Sequence, residues 1–169
     1  VIMALIQVGG LGLVTFTSFF SLVTGKKLGL RGMKLASESV NSNSLSEVPD
    51  LLRMIITFTL TVEAIGAVLL GIYFVPEYGM MGVFISVFLA VSAFCNAGFD
   101  LLGGRFGAFS SLAGYNDNPL MLGTTAALIV VGGLGFFVWE DIVDKRCWSR
   151  LSVCSKMVLL ITAVLIVWG

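Results

Sequence analysis

The stretch SAFCNAGFDLLGG, residues 92–104, ends a run that is apolar enough to cross a membrane. The run, residues 79–99, contains 21 residues and no charge. The stretch nevertheless holds an asparagine, three glycines and an aspartate, and the polar groups among them are costly in hydrocarbon. Irregular backbone at membrane depth is tolerated where it is buried in protein or lines a water-filled cavity. The stretch therefore predicts a turn inside a membrane that faces a pore.

The composition of the whole chain is that of an integral membrane protein. Of its 169 residues, 57% are hydrophobic and 12% are charged, whereas a soluble domain has about 25% charged residues. The mean hydropathy is +1.02. The chain has no histidine and no CxxC pair, so serine–histidine and zinc-protease chemistry are excluded and a metal or disulfide framework is not expected. We predict an all-α membrane protein that is not an enzyme and binds no nucleic acid.

Apolar runs of about 20 residues are long enough to cross the bilayer as helices. Asn118 is a good helix N-cap, and Pro119 follows at the first helical position, where its missing N–H costs nothing. The chain starts and stops inside apolar runs, which indicates a fragment of a longer protein. The predicted runs are 1–24, 51–75, 79–99, 118–140 and the incomplete 157–169.

We expect the protein to cross the plasma (inner) membrane several times. Its basic residues are concentrated in two loops, and the positive-inside rule places both loops on the cytoplasmic side. The two loops lie on the same side only if 79–99 enters the membrane and returns. We therefore predict a re-entrant helix within an extracellular segment, 76–117. The cytoplasmic loops are 25–50, with Lys26, Lys27 and Arg31, and 141–156, with Lys145, Arg146 and Arg150.

A short helix followed by a glycine-containing turn can offer backbone carbonyls to a cation. Gly98 permits backbone angles that a residue with a Cβ resists, and the carboxyl end of the helix would point its negative dipole end toward a cation. Asn96 could hydrogen-bond within the turn, and Asp100 could attract cations at the outer end. The alternative is that 92–104 is only a polar loop between two helices.

Two further features stand out within the apolar runs. Glu63 lies near the middle of 51–75, where a carboxylate costs at least about 2.5–3.5 kcal/mol unless it is paired or protonated, so we expect it to face the bundle or hold a neighbouring helix. The motif VGGLG occurs at 8–12 and again at 131–135, which suggests duplicated units. Its glycines are predicted to serve close helix packing or bending: Gly9, Gly10, Gly12, Gly132, Gly133 and Gly135.

Together with SAFCNAGFDLLGG, the segments QVGGLGLVTF (7–16), VVGGLGFFVWEDI (130–142) and LSVCSKMVLL (151–160) resemble the pore subunit of the Trk/Ktr/HKT potassium transporters, most closely the Ktr type. The resemblance covers essentially the whole chain. It implies four repeats around one potassium-channel-like pore. Each repeat consists of a first membrane helix (M1), a pore loop and a second membrane helix (M2). The implied assignment is 1–24 as M2 of the first repeat, 51–140 as the second repeat (M1 51–75, pore helix and filter 79–104, M2 118–140), and 157–169 as the start of the third.

The same resemblance implies uptake of K⁺ through a filter of backbone carbonyls, with K⁺ bound at Gly98. Asp100 is then expected at the outer mouth of the pore. It implies no cofactor in this chain, a homodimer of full-length chains in the lipid bilayer, and a cytosolic regulatory subunit that binds ATP, ADP or NAD and gates the pore. The basic cytoplasmic rim either docks this subunit or only sets the topology. The alternatives are a Na⁺-selective or Na⁺-coupled transporter and a non-conducting assembly subunit. The implied filter residues are Cys95, Asn96, Ala97, Gly98 and Phe99.

Overall fold

The computed structural model describes residues 1–12, 48–99, 101–103, 107, 112–115 and 117–168. These residues form helices and no β-strand, which confirms the predicted all-α fold. The predictions for Lys26, Lys27, Arg31 and Asp100 lie outside the described residues. The helices are α1 (Ile2–Leu11), α2 (Val48–Tyr78), α3 (Met80–Phe94), α4 (Pro119–Gly133), α5 (Phe136–Lys145) and α6 (Val153–Trp168), with 3-10 turns at Ala113–Tyr115 and Trp148–Arg150.

The chain divides into two compact units. The first comprises residues 1–13 and 56–133, and the second comprises 14–55 and 134–169. In the first unit, α3 packs against both α1 and α4; in the second, α5 packs against α6. Because α3 leads directly into the turn at 95–99, the packing around α3 determines where that turn lies.

Helix α2 is long and apolar enough to cross a bilayer. Its 31 residues extend about 46 Å at 1.5 Å per residue. The sequence predicts an end at residue 75, before Pro76, but the helix continues through Pro76 to Tyr78. The proline lacks only one N–H close to the helix end, and the Gly79 N–H still donates to the Val75 carbonyl at 2.8 Å, so the last turn remains closed.

Helix α3 is shorter than a bilayer is thick. Its 15 residues extend about 22 Å, against about 30 Å of hydrocarbon. The chain reverses before it at Gly79, which has a φ of 57°. Its buried face joins residues of α2 and α4 in one apolar core. The members of this core are Leu70, Phe74, Ile85, Leu89, Ala90, Ala93, Leu102, Tyr115, Met121 and Leu128.

Helix α4 begins as the sequence predicts and ends earlier. The Asn118 Oδ1 atom accepts a hydrogen bond from the Met121 N–H at 3.2 Å, which confirms the predicted N-cap. The predicted run 118–140 is interrupted, because α4 ends at Gly133 and α5 begins at Phe136. Between them, Gly135 has φ 84° and ψ 146°. This backbone region is essentially restricted to glycine. The last glycine of the VGGLG motif therefore allows the helix to break at this position.

The first copy of VGGLG has the same backbone at the same position. Helix α1 ends at Leu11, and Gly12 follows with φ 79° and ψ 133°, close to the angles of Gly135. The last glycine of each copy therefore ends a helix in the same conformation. This local equivalence agrees with the internal duplication inferred from the sequence.

Candidate functional site

The carboxyl end of α3 is closed by a Schellman motif. The Ala97 N–H donates to the Ser92 carbonyl at 2.8 Å, and the Asn96 N–H donates to the Ala93 carbonyl at 3.1 Å. Asn96 takes the left-handed position that this motif requires, with a φ of 53°. Asparagine adopts that conformation more readily than most residues with a side chain. The helix therefore stops at Phe94 for a local reason.

Ser92 ties the following turn to the helix with a second hydrogen bond. Its hydroxyl accepts the Phe99 N–H at 2.9 Å, and its side chain is 3% exposed. Ser92 thus holds the turn from Cys95 to Phe99 at its middle residue, Ala97, and at its last residue, Phe99. Sequence reasoning missed this role, although a serine in the last turn of an otherwise apolar helix was an available signal.

The residues of the turn after Cys95 are exposed. Residues Asn96 to Phe99 are all exposed, and Ala97 to Phe99 are neither helical nor in a strand. Gly98 has a φ of 67°, and apart from its chain neighbours no heavy atom of the described residues lies within 4 Å of the position that a Cβ would take. A cavity of about 220 Å³ adjoins this segment and includes Ser92, Asn96, Gly98, Phe99 and Thr125 in its lining. An exposed segment without side-chain charge after a helix carboxyl end can offer its backbone carbonyls to a cation.

The motif glycines differ in what surrounds them. A Cβ on Gly132 would overlap the main-chain carbonyl of Phe94, whereas a Cβ on Gly133 would meet only the Asn96 side-chain amide, at 3.8 Å. In the first copy, a Cβ on Gly10 would overlap the Cys95 side chain, and one on Gly9 would meet no other described element within 4 Å. One glycine of each copy is therefore pressed against the end of α3 or the start of the turn.

Glu63 also reaches the start of this turn. Its side chain is 5% exposed, and the Cys95 thiol donates to its Oε1 atom at 3.9 Å. The Gln7 side chain of α1 interacts with the same carboxylate, but the buried Gln7 Nε2 atom makes no hydrogen bond of ordinary geometry with the described residues. We take Gln7 as a neighbour of Glu63 and not as a full hydrogen-bond partner. Its part in this cluster was not foreseen from the sequence.

The residues of the predicted basic rim that the structure describes are not equivalent. Lys145 forms an ion pair with Asp141, with 2.5 Å between Nζ and Oδ1, whereas Arg146 and Arg150 are exposed. Asp141 also accepts the Ser152 N–H at 2.7 Å, and the Ser152 hydroxyl accepts the Ser155 N–H at 3.1 Å. Asp141 thereby connects α5 to the start of α6. The Lys145 ammonium, followed by the Ser152 N–H, holds the pKa of the Asp141 carboxyl below its usual range.

Replacing Asp141 by asparagine is expected to loosen the connection between α5 and α6. Amide hydrogen exchange of the peptide 146–155, followed by mass spectrometry at neutral pH, should become about threefold faster or more, because the ion pair and the charged acceptor are lost. Asp144→Asn is the matched control, since Asp144 is exposed on the same helix. Equal exchange in both variants would contradict the role of Asp141.

The same bonds predict how the connection responds to acid. The folded-state pKa of Asp141 is lowered, so its stabilisation is complete above the ordinary aspartate pKa of about 3.9 and is lost as the pH falls below it toward the folded-state value. Exchange of the peptide 146–155, corrected for the intrinsic pH dependence of exchange, should accelerate in that range. Asp141→Asn should remove this acceleration.

Comparison with known proteins adds independent information. The family model described as "TrkH: Cation transport protein" matches residues 1–164. The chain is 38% identical over 169 residues to the potassium/sodium uptake protein NtpJ of Enterococcus hirae. It is 37% and 36% identical to the Ktr system potassium uptake proteins B of Bacillus subtilis and Vibrio alginolyticus, over 166 and 173 residues. These alignments cover 98–99% of this chain but 36% of each relative, so the chain spans about a third of their length.

Proposed function

The chain belongs to the TrkH family of cation transport proteins, and we propose that it is part of a membrane protein that takes up K⁺ through a channel-like pore. The names of its relatives from Bacillus and Vibrio specify potassium uptake. Transport is the function of the family, so the chemistry to be explained is the passage of an ion and not a covalent reaction.

One observation carries the proposal for the ion path: the exposed, non-helical backbone at 97–99 that follows the carboxyl end of α3. A dehydrated K⁺ needs several oxygen ligands, and backbone carbonyls supply them without a charged side chain. The left-handed residues Asn96 and Gly98 flank Ala97 and bend the chain tightly at this point. We infer that Cys95 to Phe99 is one strand of a selectivity filter, with K⁺ at Gly98 and Asp100 at the outer pore mouth.

The helix lengths support the proposed arrangement of repeats. At about 22 Å, α3 suits a re-entrant pore helix that does not reach the opposite side of the bilayer. In the proposed arrangement, α2 is M1, and α1 is M2 of the preceding repeat. M2 of this repeat consists of α4 and the first turn of α5, up to residue 140. The segment 76–117 then lies outside the cell, and the loops 25–50 and 141–156 lie in the cytoplasm.

One filter strand cannot surround an ion. The relatives are almost three times as long as this chain, so we propose that further repeats of the full-length protein complete the ring. We also propose that the full-length protein forms a homodimer. Its cytoplasmic rim would contact a regulatory subunit that binds ATP, ADP or NAD, and the exposed guanidinium groups of Arg146 and Arg150 are the described residues best suited to that contact.

The proposal is tested with the full-length gene in a host that lacks its own potassium uptake systems. We expect growth at low K⁺ to be restored and ⁸⁶Rb⁺ to accumulate, because Rb⁺ has nearly the coordination requirement of K⁺. The name of the Enterococcus relative includes sodium, so ²²Na⁺ uptake should be measured in the same cells. Uptake of Na⁺ without Rb⁺ would replace potassium with sodium as the substrate, and insertion without uptake of either ion would favour the assembly role.

A further inference from the structure

Glu63 is a buried acid in the middle of a helix that we assign to the membrane. Its side chain is 5% exposed, and none of the lysines and arginines that the structure describes forms an ion pair with it. A carboxyl group in such a place is costly, and the proposed conduction path does not use it as a ligand. We therefore ask which neighbouring groups the Glu63 carboxyl contacts.

Three segments meet at Glu63. Helix α2 supplies Glu63 itself, α1 supplies Gln7 and Gly10, and Cys95 follows the last residue of α3. The Cys95 thiol donates to Glu63 at 3.9 Å, a weak bond by its length and donor type. On the other side, α1 lies so close that a Cβ at Gly10 would overlap the Cys95 sulfur atom. Cys95 is thus confined between the carboxyl group and the backbone of α1.

Confinement of Cys95 has a direct consequence for the turn that it begins. Its N–H donates to the Val91 carbonyl at 2.9 Å, so its main chain is fixed to α3. Its side chain is fixed by Glu63 and α1, whereas the far end of the turn is fixed by the bond from the Phe99 N–H to Ser92. The exposed residues 96–98 lie between these two anchors, and the N–H groups of Asn96 and Ala97 also bond to α3.

We propose that Glu63 is a positioning residue for ion selectivity, which holds the inner end of the filter strand by accepting a hydrogen bond from Cys95. This inference rests on the proposed function. Selectivity between K⁺ and Na⁺ depends on where the carbonyl oxygens lie and how freely they move. Loss of one anchor should therefore affect selectivity more than it affects the amount of protein in the membrane.

The test compares variants of the full-length protein at matched membrane levels, with the inhibition of ⁸⁶Rb⁺ uptake by Na⁺ as the measure of selectivity. Glu63→Leu and Cys95→Ala should each lower the preference for Rb⁺ over Na⁺ about fivefold. Glu63→Gln keeps an oxygen acceptor, so its selectivity should stay within about twofold of that of the original protein. Cys95→Ser keeps a donor, so it should lose less selectivity than Cys95→Ala. The double variant Glu63→Leu/Cys95→Ala should lose no more than either single variant, since both remove the same contact.

Several outcomes would overturn the inference. The inference is wrong if Glu63→Leu keeps the original preference for Rb⁺ over Na⁺. It is also wrong if the losses of the two single variants multiply in the double variant, since the two changes would then act independently. If Glu63→Leu does not accumulate in the membrane, the pair Cys95→Ala and Cys95→Ser decides, because equal behaviour of these two small substitutions excludes a role for the hydrogen bond.

If the intact protein moves no Rb⁺, the proposed function and this inference fail together. If Gly98→Ser alters selectivity and the variants at Glu63 and Cys95 do not, only this inference fails.

Discussion

Replacing Gly98 by serine is expected to lower the preference for K⁺ over Na⁺ about tenfold while the protein still reaches the membrane. Gly98 has a φ of 67°, and a residue with a Cβ pays about 1–2 kcal/mol in the left-handed region. An energy of 1.4 kcal/mol corresponds to a factor of ten. Because none of the described residues beyond the chain neighbours lies within 4 Å of the new Cβ, the strain should change the backbone of the turn and leave the packing around it intact.

The measurement is ⁸⁶Rb⁺ uptake in competition with Na⁺, in the potassium-uptake-deficient host described above. Gly123→Ser is the matched control, since Gly123 lies in α4 and a Cβ there would also have no heavy atom of another described element within 4 Å. This control should keep the original selectivity. Unchanged selectivity in Gly98→Ser, at an equal amount of protein, would remove the main support for a filter at 95–99. Loss of the protein from the membrane in Gly98→Ser alone would favour the assembly role.

Replacing Gly132 by alanine is expected to destabilise the protein by about 3 kcal/mol, near the upper end of the usual cost of overpacking. The added methyl group would overlap the Phe94 carbonyl. These are main-chain atoms at the last turn of α3, so they cannot turn aside as a flexible side chain could. Relief of the overlap requires α4 to separate from α3, and the turn at 95–99 would move with the end of α3.

The comparison with the next residue makes this prediction specific. Gly133→Ala would bring a methyl group no closer than 3.8 Å to the Asn96 amide, and alanine is favoured over glycine within a helix by up to about 1 kcal/mol. We expect Gly133→Ala to be neutral or slightly stabilising in thermal unfolding of the detergent-solubilised full-length protein. Equal unfolding temperatures for the two variants would contradict the close approach of Gly132 to the Phe94 carbonyl.

Much of the architecture could be inferred from local sequence patterns. The length and apolarity of the runs predicted α2 and α3, because a bilayer demands about 20 apolar residues and tolerates little else. Asn118 and Pro119 predicted the start of α4, since capping depends on a few neighbouring residues. The glycine motif predicted a duplication, and the matching angles of Gly12 and Gly135 agree with it.

Element ends were less predictable from the same patterns. Pro76 indicated the end of α2, but one missing N–H close to the helix end was not enough to stop the helix there. The run 118–140 looked continuous because hydropathy does not register a backbone angle, whereas Gly135 interrupts the helix. The turn after Phe94 was expected from Gly98, yet Asn96 and Ser92 are the residues that build it.

The sequence by itself determined that this is an all-α membrane protein, with an apolar helix that ends in a polar, glycine-containing turn. These properties depend on the solvent and on a few adjacent residues. Only the tertiary structure decided that Gly132 and not Gly133 meets the backbone of α3, and that Glu63 reaches Cys95. Such contacts depend on the rotation of each helix about its axis and on which neighbour faces it. A helical period of 3.6 residues defines the faces of a helix, but it does not choose their partners.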